Sequence, residues 1–369
     1  MSAALAAGVA PFEGDRAESI EMIRDSARGL LGTDMARVRA LRFQEPGFDP
    51  ALLRAMGEAG WIGLSVPEAA GGTGLGLGEG VALAEEVGRA CAPEPVVALM
   101  LSAHLLAAAG EATVLPQLLA GEAVVLTAWQ DRAHTLSPAT SAEGARRFVP
   151  MAAGATHILW PVAEGGRVAL HQLTRDQVEI TTEQTQDGGH YGTVRPLPFA
   201  GHGPGTHIAD DVGAALAEGL DRAALLTAAS LLGGMEAAFT MTLDYLRTRQ
   251  QFGKIIGTFQ ALQHKAADAK IQVALTRASV EQAAAALDDG LSGDAACALV
   301  SRAKARASEA GMAVQQACVQ LHGGIGYTDQ YDVGLHLRRT MVLAPAYGGA
   351  NLHRRRFMEL APETEDEAA

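Results

Sequence analysis

The sequence predicts an α+β fold, mainly α, with helices first, then a block of strands, then helices again. Three observations carry this. Apolar residues spaced three and four apart run from about Ser19 to Gly121; short β-branched runs fill Ala123 to about Gly205; and helical spacing returns after Ala209 and lasts to about Leu360. At 369 residues the chain exceeds the usual size of one hydrophobic core, so several domains are expected. The changes of pattern divide it into a helical part (1–122), a β part (123–210), a helical bundle (211–360) and an acidic tail (361–369).

Within the first part the Gly/Pro-rich stretch from Pro67 to Gly74 reads as a loop. In the β part, His157–Val162 and Val168–His171 are strand-like runs, and Glu164-Gly165-Gly166 between them reads as a hairpin turn. Val178–Thr182 alternates as a strand does. In the third part Leu225, Ala229, Leu232, Met235, Phe239, Leu243 and Leu246 mark one buried helix face. A second long helix is expected from about Ala261 to the break at Asp288-Asp289-Gly290, and a third from about Asp294 to Gly323-Gly324.

Composition excludes several classes of function. A net charge of −13 without a dense basic run argues against nucleic-acid binding. Cys91, Cys297 and Cys318 lie far apart with no Cys-x-x-Cys pair, which argues against a disulfide framework or a metal site and fits a reducing cytoplasm. The apolar opening Met1–Ala7 has no positive flank and reads as a loose terminus, and no apolar stretch reads as long enough to span a bilayer or as membrane-inserting.

Two stretches point to chemistry. In Arg249-Gln250-Gln251-Phe252-Gly253 a helix ends and the chain turns, so a guanidinium, a carboxamide and a ring project from one junction. A guanidinium fork matches two phosphate oxygens, although an interhelical turn with a salt-bridged arginine has the same local pattern. In Gln320-Leu321-His322-Gly323-Gly324-Ile325-Gly326 three glycines follow a long helix and admit close approach of a backbone or a flat ligand; a glycine-terminated helix is the plainer reading.

Taken together, these motifs resemble the acyl-CoA dehydrogenase family. The likeness extends to Gly60-Trp61-Ile62-Gly63-Leu64, Val66-Pro67-Glu68, Glu85-Glu86-Val87-Gly88-Arg89, Leu115–Glu122 and Phe259-Gln260-Ala261-Leu262-Gln263, so it covers nearly the whole chain. The resemblance implies a helical N-terminal domain, a middle β domain and a C-terminal four-helix bundle that assembles tetramers. It also implies FAD as cofactor, α,β-dehydrogenation of an acyl-CoA to a trans-2-enoyl-CoA, and an electron-transfer flavoprotein as acceptor. In such enzymes FAD lies across a subunit interface. Arg249, Gln251, Phe252, Gln320, Gly323 and Gly324 match the elements that one subunit lends to its neighbour's flavin.

The chain also departs from the family. The usual base lies in a Tyr-Glu-Gly-Thr segment, here Tyr347-Gly348-Gly349-Ala350, and Gly348 cannot accept a proton. Other members place the base before an arginine at the start of a long helix. That dipeptide here is Asp221-Arg222, which makes Asp221 the candidate base and Arg222 a candidate substrate contact; the alternative is a first-turn aspartate favoured by the helix dipole. Where relatives carry Thr-Glu-Pro and Gly-Ser-Asp, this chain has Thr127-Ala128-Trp129-Gln130-Asp131-Arg132, and Arg147–Ala153 replaces a tryptophan-bearing flavin contact. The half-site given away is thus better kept than the half-site used. That asymmetry is similar to the smaller subunits of bacterial heterotetrameric, sterol-catabolic members, and implies an α2β2 assembly with an unlike chain. A homotetramer using Asp221, a non-catalytic partner subunit, and a flavoprotein acting on a non-CoA substrate or using oxygen are the other readings. His264, His322, His353, Trp129 and Arg354–Arg356 read as structural or solvated.

Overall fold

The computed structural model describes residues 12–198 and 204–361. The loose start at Met1–Ala7 and the acidic run Glu363–Glu367 lie outside the described residues. The chain forms two compact units. One takes in the described residues of Met1–Met35, Val81–Ala92 and Ala224–Ala369, the other Ala36–Gly80 and Pro93–Ala223.

The second of these holds all the long strands. Its helices are α2 (Met35–Leu41), α3 (Pro50–Glu58), α5 (Val96–Ala108) and α6 (Leu115–Leu119). Asp49 starts α3 by accepting from Ala51 N at 2.9 Å, with Pro50 at the first helical position, where its missing N–H costs nothing. Apolar on nearly every side, α5 is accordingly buried along most of its length. Glu111 begins α6, its carboxylate accepting from Thr113 N and Val114 N at 2.8 Å and from Leu115 N at 3.1 Å.

Seven strands follow: β1 (Val125–Thr127), β2 (Arg146–Pro150), β3 (His157–Glu164), β4 (Arg167–Thr174), β5 (Val178–Gln184), β6 (His190–Pro196) and β7 (Thr206–Ala209). They form a four-stranded sheet in the order β1-β3-β4-β7 and a three-stranded sheet in the order β2-β6-β5. The hairpin expected at Glu164-Gly165-Gly166 joins β3 to β4, with both glycines at positive φ (58° and 80°), as a tight primed turn requires.

Among the described residues the other unit is helical apart from one small hairpin. It contains α1 (Asp15–Leu31), the greater parts of α4 (Leu77–Arg89) and α7 (Gly213–Thr248), and α8 (Gln260–Asp288), α9 (Gly293–His322), α10 (Val333–Leu343) and α11 (Ala350–Leu360). Between α7 and α8 lies the two-stranded hairpin of β8 (Gln250–Gln251) and β9 (Lys254–Ile255). The predicted α7 face is buried: Leu232, Met235 and Phe239 pack with Ala269 and Val273 of α8, Val314 and Cys318 of α9 and Val333 of α10. Contrary to the sequence reading, one helix among the described residues, α7, is long and apolar enough to cross a membrane. However, 78% of its most apolar window is buried inside the protein, as in the core helix of a bundle.

The Glu85-Glu86-Val87-Gly88-Arg89 motif builds an ion-pair network in this unit. Glu85 is fully buried and meets Arg24 and Arg277, the latter by two contacts of 3.0 and 3.3 Å. Arg277 also reaches Glu236 at 2.9 Å and Glu281 at 2.9 Å; Arg89 joins Glu236 at 2.7 Å to Glu86 at 3.2 Å. Burial pushes the Glu85 carboxyl above its ordinary range, opposed by Arg277 and Arg24, while the surrounding carboxylates hold the Arg277 guanidinium charged.

Candidate functional site

The β8–β9 hairpin and the end of α9 are held together by a small apolar cluster. Leu246, Ile256 and Leu321 form its centre, with Tyr245 and Phe259 packed against it. His322 stacks on Tyr245 at 4.6 Å and tilts against Tyr331 at 4.7 Å. Its Nδ1 donates to Cys318 O at 2.8 Å, and burial lowers its pKa; packed between two rings, it is a structural wedge. Thus the two stretches singled out in the sequence meet at one end of the bundle.

Their functional side chains point away from the chain's own packing. Arg249, Gln251 and Gln320 are exposed, and Phe252 is 91% exposed at a φ of 52° beside Gly253 at 77°. Among the described residues the Arg249 side chain has no hydrogen bond or ion pair; only its backbone is engaged, by Tyr245 O and Ile256 N. The salt-bridged interhelical turn is therefore not what this arginine makes within its own chain. Gly323 takes a φ of 66°, which explains glycine there; Gly324 does not need it, because a Cβ added at Gly324 meets nothing within 4 Å. An unpaired guanidinium, an exposed ring and an open glycine surface on one end of the bundle fit the phosphates and flat rings of a dinucleotide.

Asp221 and Arg222 belong to the other unit. They were expected at the start of a helix, but α7 begins at Gly213, so Asp221 lies more than two turns inside and is not a first-turn residue. The helix starts early because Val212 and Gly213 are already tied down, Gly213 N donating to Asp211 at 2.9 Å and Val212 N to Val168 O at 2.8 Å. Asp221 is 8% exposed. Arg222 donates Nε and Nη2 to Glu218 one turn back, at 3.0 and 2.6 Å. His104 of α5 donates Nε2 to Ala215 O at 3.1 Å; burial, then the nearby Arg222, lowers its pKa.

The segment that departs from the family pattern is engaged by its own chain. Thr127, Ala128 and Trp129 are buried; Thr127 shares a 2.9 Å hydrogen bond with Ser102, and Trp129 O accepts from Ala139 N at 2.9 Å. Arg146 was not anticipated from sequence. It is fully buried, donates to Ser141 O at 2.7 Å and lies 4.4 Å from the Trp160 ring centre, and burial lowers its pKa to about 10. Nothing in its local sequence marks it as buried, since Phe148 two positions on is exposed. Lys304 was likewise missed, although its spacing with Val300 and Ala307 places it on a buried helix face.

The N-terminal domain model of the acyl-CoA dehydrogenases matches residues 17–122, and the C-terminal domain model matches residues 213–360. Acyl-CoA dehydrogenase IpdE2 of Mycobacterium tuberculosis is 30% identical over 341 residues, covering 91% of this chain and 93% of that protein. The chain belongs to the acyl-CoA dehydrogenase family. Two solved structures are similar to this acyl-CoA dehydrogenase chain. A Tcur3481–Tcur3483 steroid ACAD variant superimposes with a TM-score of 0.83 at 28% identity, covering 96% of this chain and 100% of the other. The ChsE4–ChsE5 complex from Mycobacterium tuberculosis gives 0.82 at 25% identity, covering 96% and 99%. Membership carries with it the acyl-CoA dehydrogenase fold, with its four-helix bundle, and FAD as the cofactor.

Proposed function

We propose that this chain is one subunit of an FAD-dependent acyl-CoA dehydrogenase that converts an acyl-CoA to a trans-2-enoyl-CoA. The observation that carries the reading is the exposed, unpaired Arg249 beside the open surface of Gly323 and Gly324. In this reading Arg249, Gln251, Phe252, Gln320, Gly323 and Gly324 hold the pyrophosphate and adenosine of a flavin whose ring is seated by a neighbouring chain. FAD, when bound, supplies the hydride acceptor for the β-hydrogen. The chain's own contribution to proton removal falls to the buried Asp221, whose carboxylate takes the α-proton while Arg222, braced by Glu218, contacts the substrate.

The unlike partner is the second part of the proposal. The chain's own Ala128–Trp129 segment is buried and hydrogen-bonded to itself, so the family's flavin-seating sequence is replaced by packed core. A partner chain supplying that half gives an α2β2 tetramer, cytoplasmic, passing electrons to an electron-transfer flavoprotein, with the three-part division at 122 and 210 retained. The similar steroid ACAD supports a steroid-derived acyl group. The experiment is co-expression with an unlike acyl-CoA dehydrogenase chain from the same source. A flavin spectrum in the complex and none in the single chain is expected, and a colourless complex overturns the proposal.

A second reading makes this chain non-catalytic, and Gly348 favours it. Asp221→Asn in the assembled enzyme separates the two. If Asp221 is the base, kcat falls by roughly 100-fold or more, within the usual range for general-base removal, while flavin content is unchanged. Unchanged turnover places the base in the partner. Gly324→Val gives the complementary test of the lent surface: with nothing within 4 Å of its Cβ, the melting temperature of the single chain stays put while flavin retention in the complex drops.

A further inference from the structure

The turn between α10 and α11, where relatives carry their base, is clamped from below. Lys304 of α9 is completely buried, and its Nζ donates to Ala344 O at 2.8 Å, Gly348 O at 2.9 Å and Ser308 Oγ at 2.9 Å. Ser308 Oγ in turn donates to Ala344 O at 3.0 Å. His353 of α11, also completely buried, donates Nε2 to Tyr347 O at 2.9 Å and turns Nδ1 toward Ser301 Oγ at 3.3 Å. Three carbonyls of one short turn are thus held by three side chains, Lys304 and Ser308 of α9 and His353 of α11.

The clamped turn leaves no room at its centre. Tyr347 and Gly348 both take left-handed backbone, φ 51° and 96°. A Cβ at Gly348 would lie 2.7 Å from His353 Nε2 and 3.2 Å from a Leu352 methyl. His353 cannot swing aside cheaply, because its Nε2 proton is committed to Tyr347 O in a buried setting.

We propose that Lys304 is a positioning residue which, with His353, locks this turn in a form that closes position 348 to a side chain. The missing carboxylate is then a property of the turn, and a glutamate placed there cannot act as base while the clamp is intact. The inference rests on the family reading of position 348, but its structural part concerns this chain alone. It also separates Lys304 from a lysine that merely fills space, since all three ammonium protons are directed to acceptors with no carboxylate within ion-pair distance among the described residues.

Burial alone lowers the Lys304 pKa, to about 7. The ionisable groups near it on the surrounding elements are Arg302, Arg306 and Glu309 on α9, His336, Arg338 and Arg339 on α10, Tyr347 in the turn, and His353, Arg354, Arg355, Arg356 and Glu359 on α11; Arg302 and Arg306 bind Gln282 and Gln272 of α8, and Arg354 pairs with Glu309. The unfolded lysine holds its proton up to its ordinary value near 10.5, so between the two values the unfolded chain binds more protons. Stability contributed through Lys304 therefore rises as pH goes from about 7 to about 10.

Hydrogen exchange on the full chain, alone and with its partner, tests the clamp without any need for flavin or turnover. In Lys304→Met the amides of residues 346–353 are expected to exchange at least about tenfold faster, with those of α7 and α8 unchanged. The wild-type melting temperature should rise relative to that variant from pH 7 to pH 10, by about 5 °C. Lys304→Arg, which cannot deprotonate, should lose that pH dependence. If Lys304→Met does not fold, Ser308→Ala removes one acceptor and gives the same local acceleration in milder form. Gly348→Glu should melt lower, accelerate exchange in the same residues and gain no activity. Wild-type exchange in both Lys304→Met and Ser308→Ala, or wild-type melting and protection in Gly348→Glu, overturns the proposal. Because those readouts are independent of catalysis, a colourless complex with an intact clamp would count against the dehydrogenase reading alone.

Discussion

Arg277→Ala is expected to destabilise the helical unit by about 3–5 kcal/mol, the usual cost of stripping one partner from a buried ion pair. Arg277 contacts three carboxylates, and one of them, Glu85, has no access to solvent. Removing the guanidinium leaves Arg24 as the remaining cation on Glu85 in a region that already disfavours its charge. The urea midpoint should fall accordingly, with the slope of the transition unchanged. The pH dependence has a definite sign. A carboxyl whose folded pKa is raised binds its proton more tightly folded than unfolded, so stability falls as pH rises through that window. The deficit of Arg277→Ala should therefore be smaller near pH 5 than near pH 8. Glu85→Leu in the same background removes the stranded charge and should recover part of the loss. An equal midpoint for wild type and Arg277→Ala would mean that the network contributes nothing.

The helices of the bundle were legible because each signal is local. The break expected at Asp288-Asp289-Gly290 ends α8 at Asp288, and the expected stop at Gly323-Gly324 ends α9 at His322. The turn at Gly253 was legible for the same reason, since positive φ selects glycine. The start of α7 was not. Asp221-Arg222 looks like a helix opening, but the capping contacts that begin the helix come from Asp211 and Val168, one of which lies in a strand far away in sequence. Buried charges escaped for a related reason. Arg146 and Lys304 are stabilised by backbone carbonyls of Ser141, Ala344 and Gly348, and carbonyls leave no trace in side-chain pattern. The candidate site divides in the same way: the exposed motif residues could be read directly, whereas the closure of position 348 depends on how two helices place Lys304 and His353 beneath one turn.

Arg249→Ala is expected to abolish flavin retention during purification of the assembled enzyme while leaving the fold untouched. The two halves of that expectation have separate grounds. Within the chain the guanidinium is exposed and unpaired among the described residues, so its loss should change stability by no more than about 0.5 kcal/mol. Toward a pyrophosphate the same group offers a planar fork with two parallel donors, and a charge-assisted hydrogen bond is worth about 1.5–3 kcal/mol. That corresponds to a dissociation constant for FAD weakened by roughly 10- to 150-fold. Arg249→Lys keeps the charge and loses the fork, so it should fall between the two. Flavin titration of the apo complex, followed by fluorescence quenching, measures all three. Tight binding by Arg249→Ala would show that the arginine serves another contact on that end of the bundle. Weak binding together with an unchanged melting curve would tie this side chain, folded but unused within its own chain, to the cofactor of its neighbour.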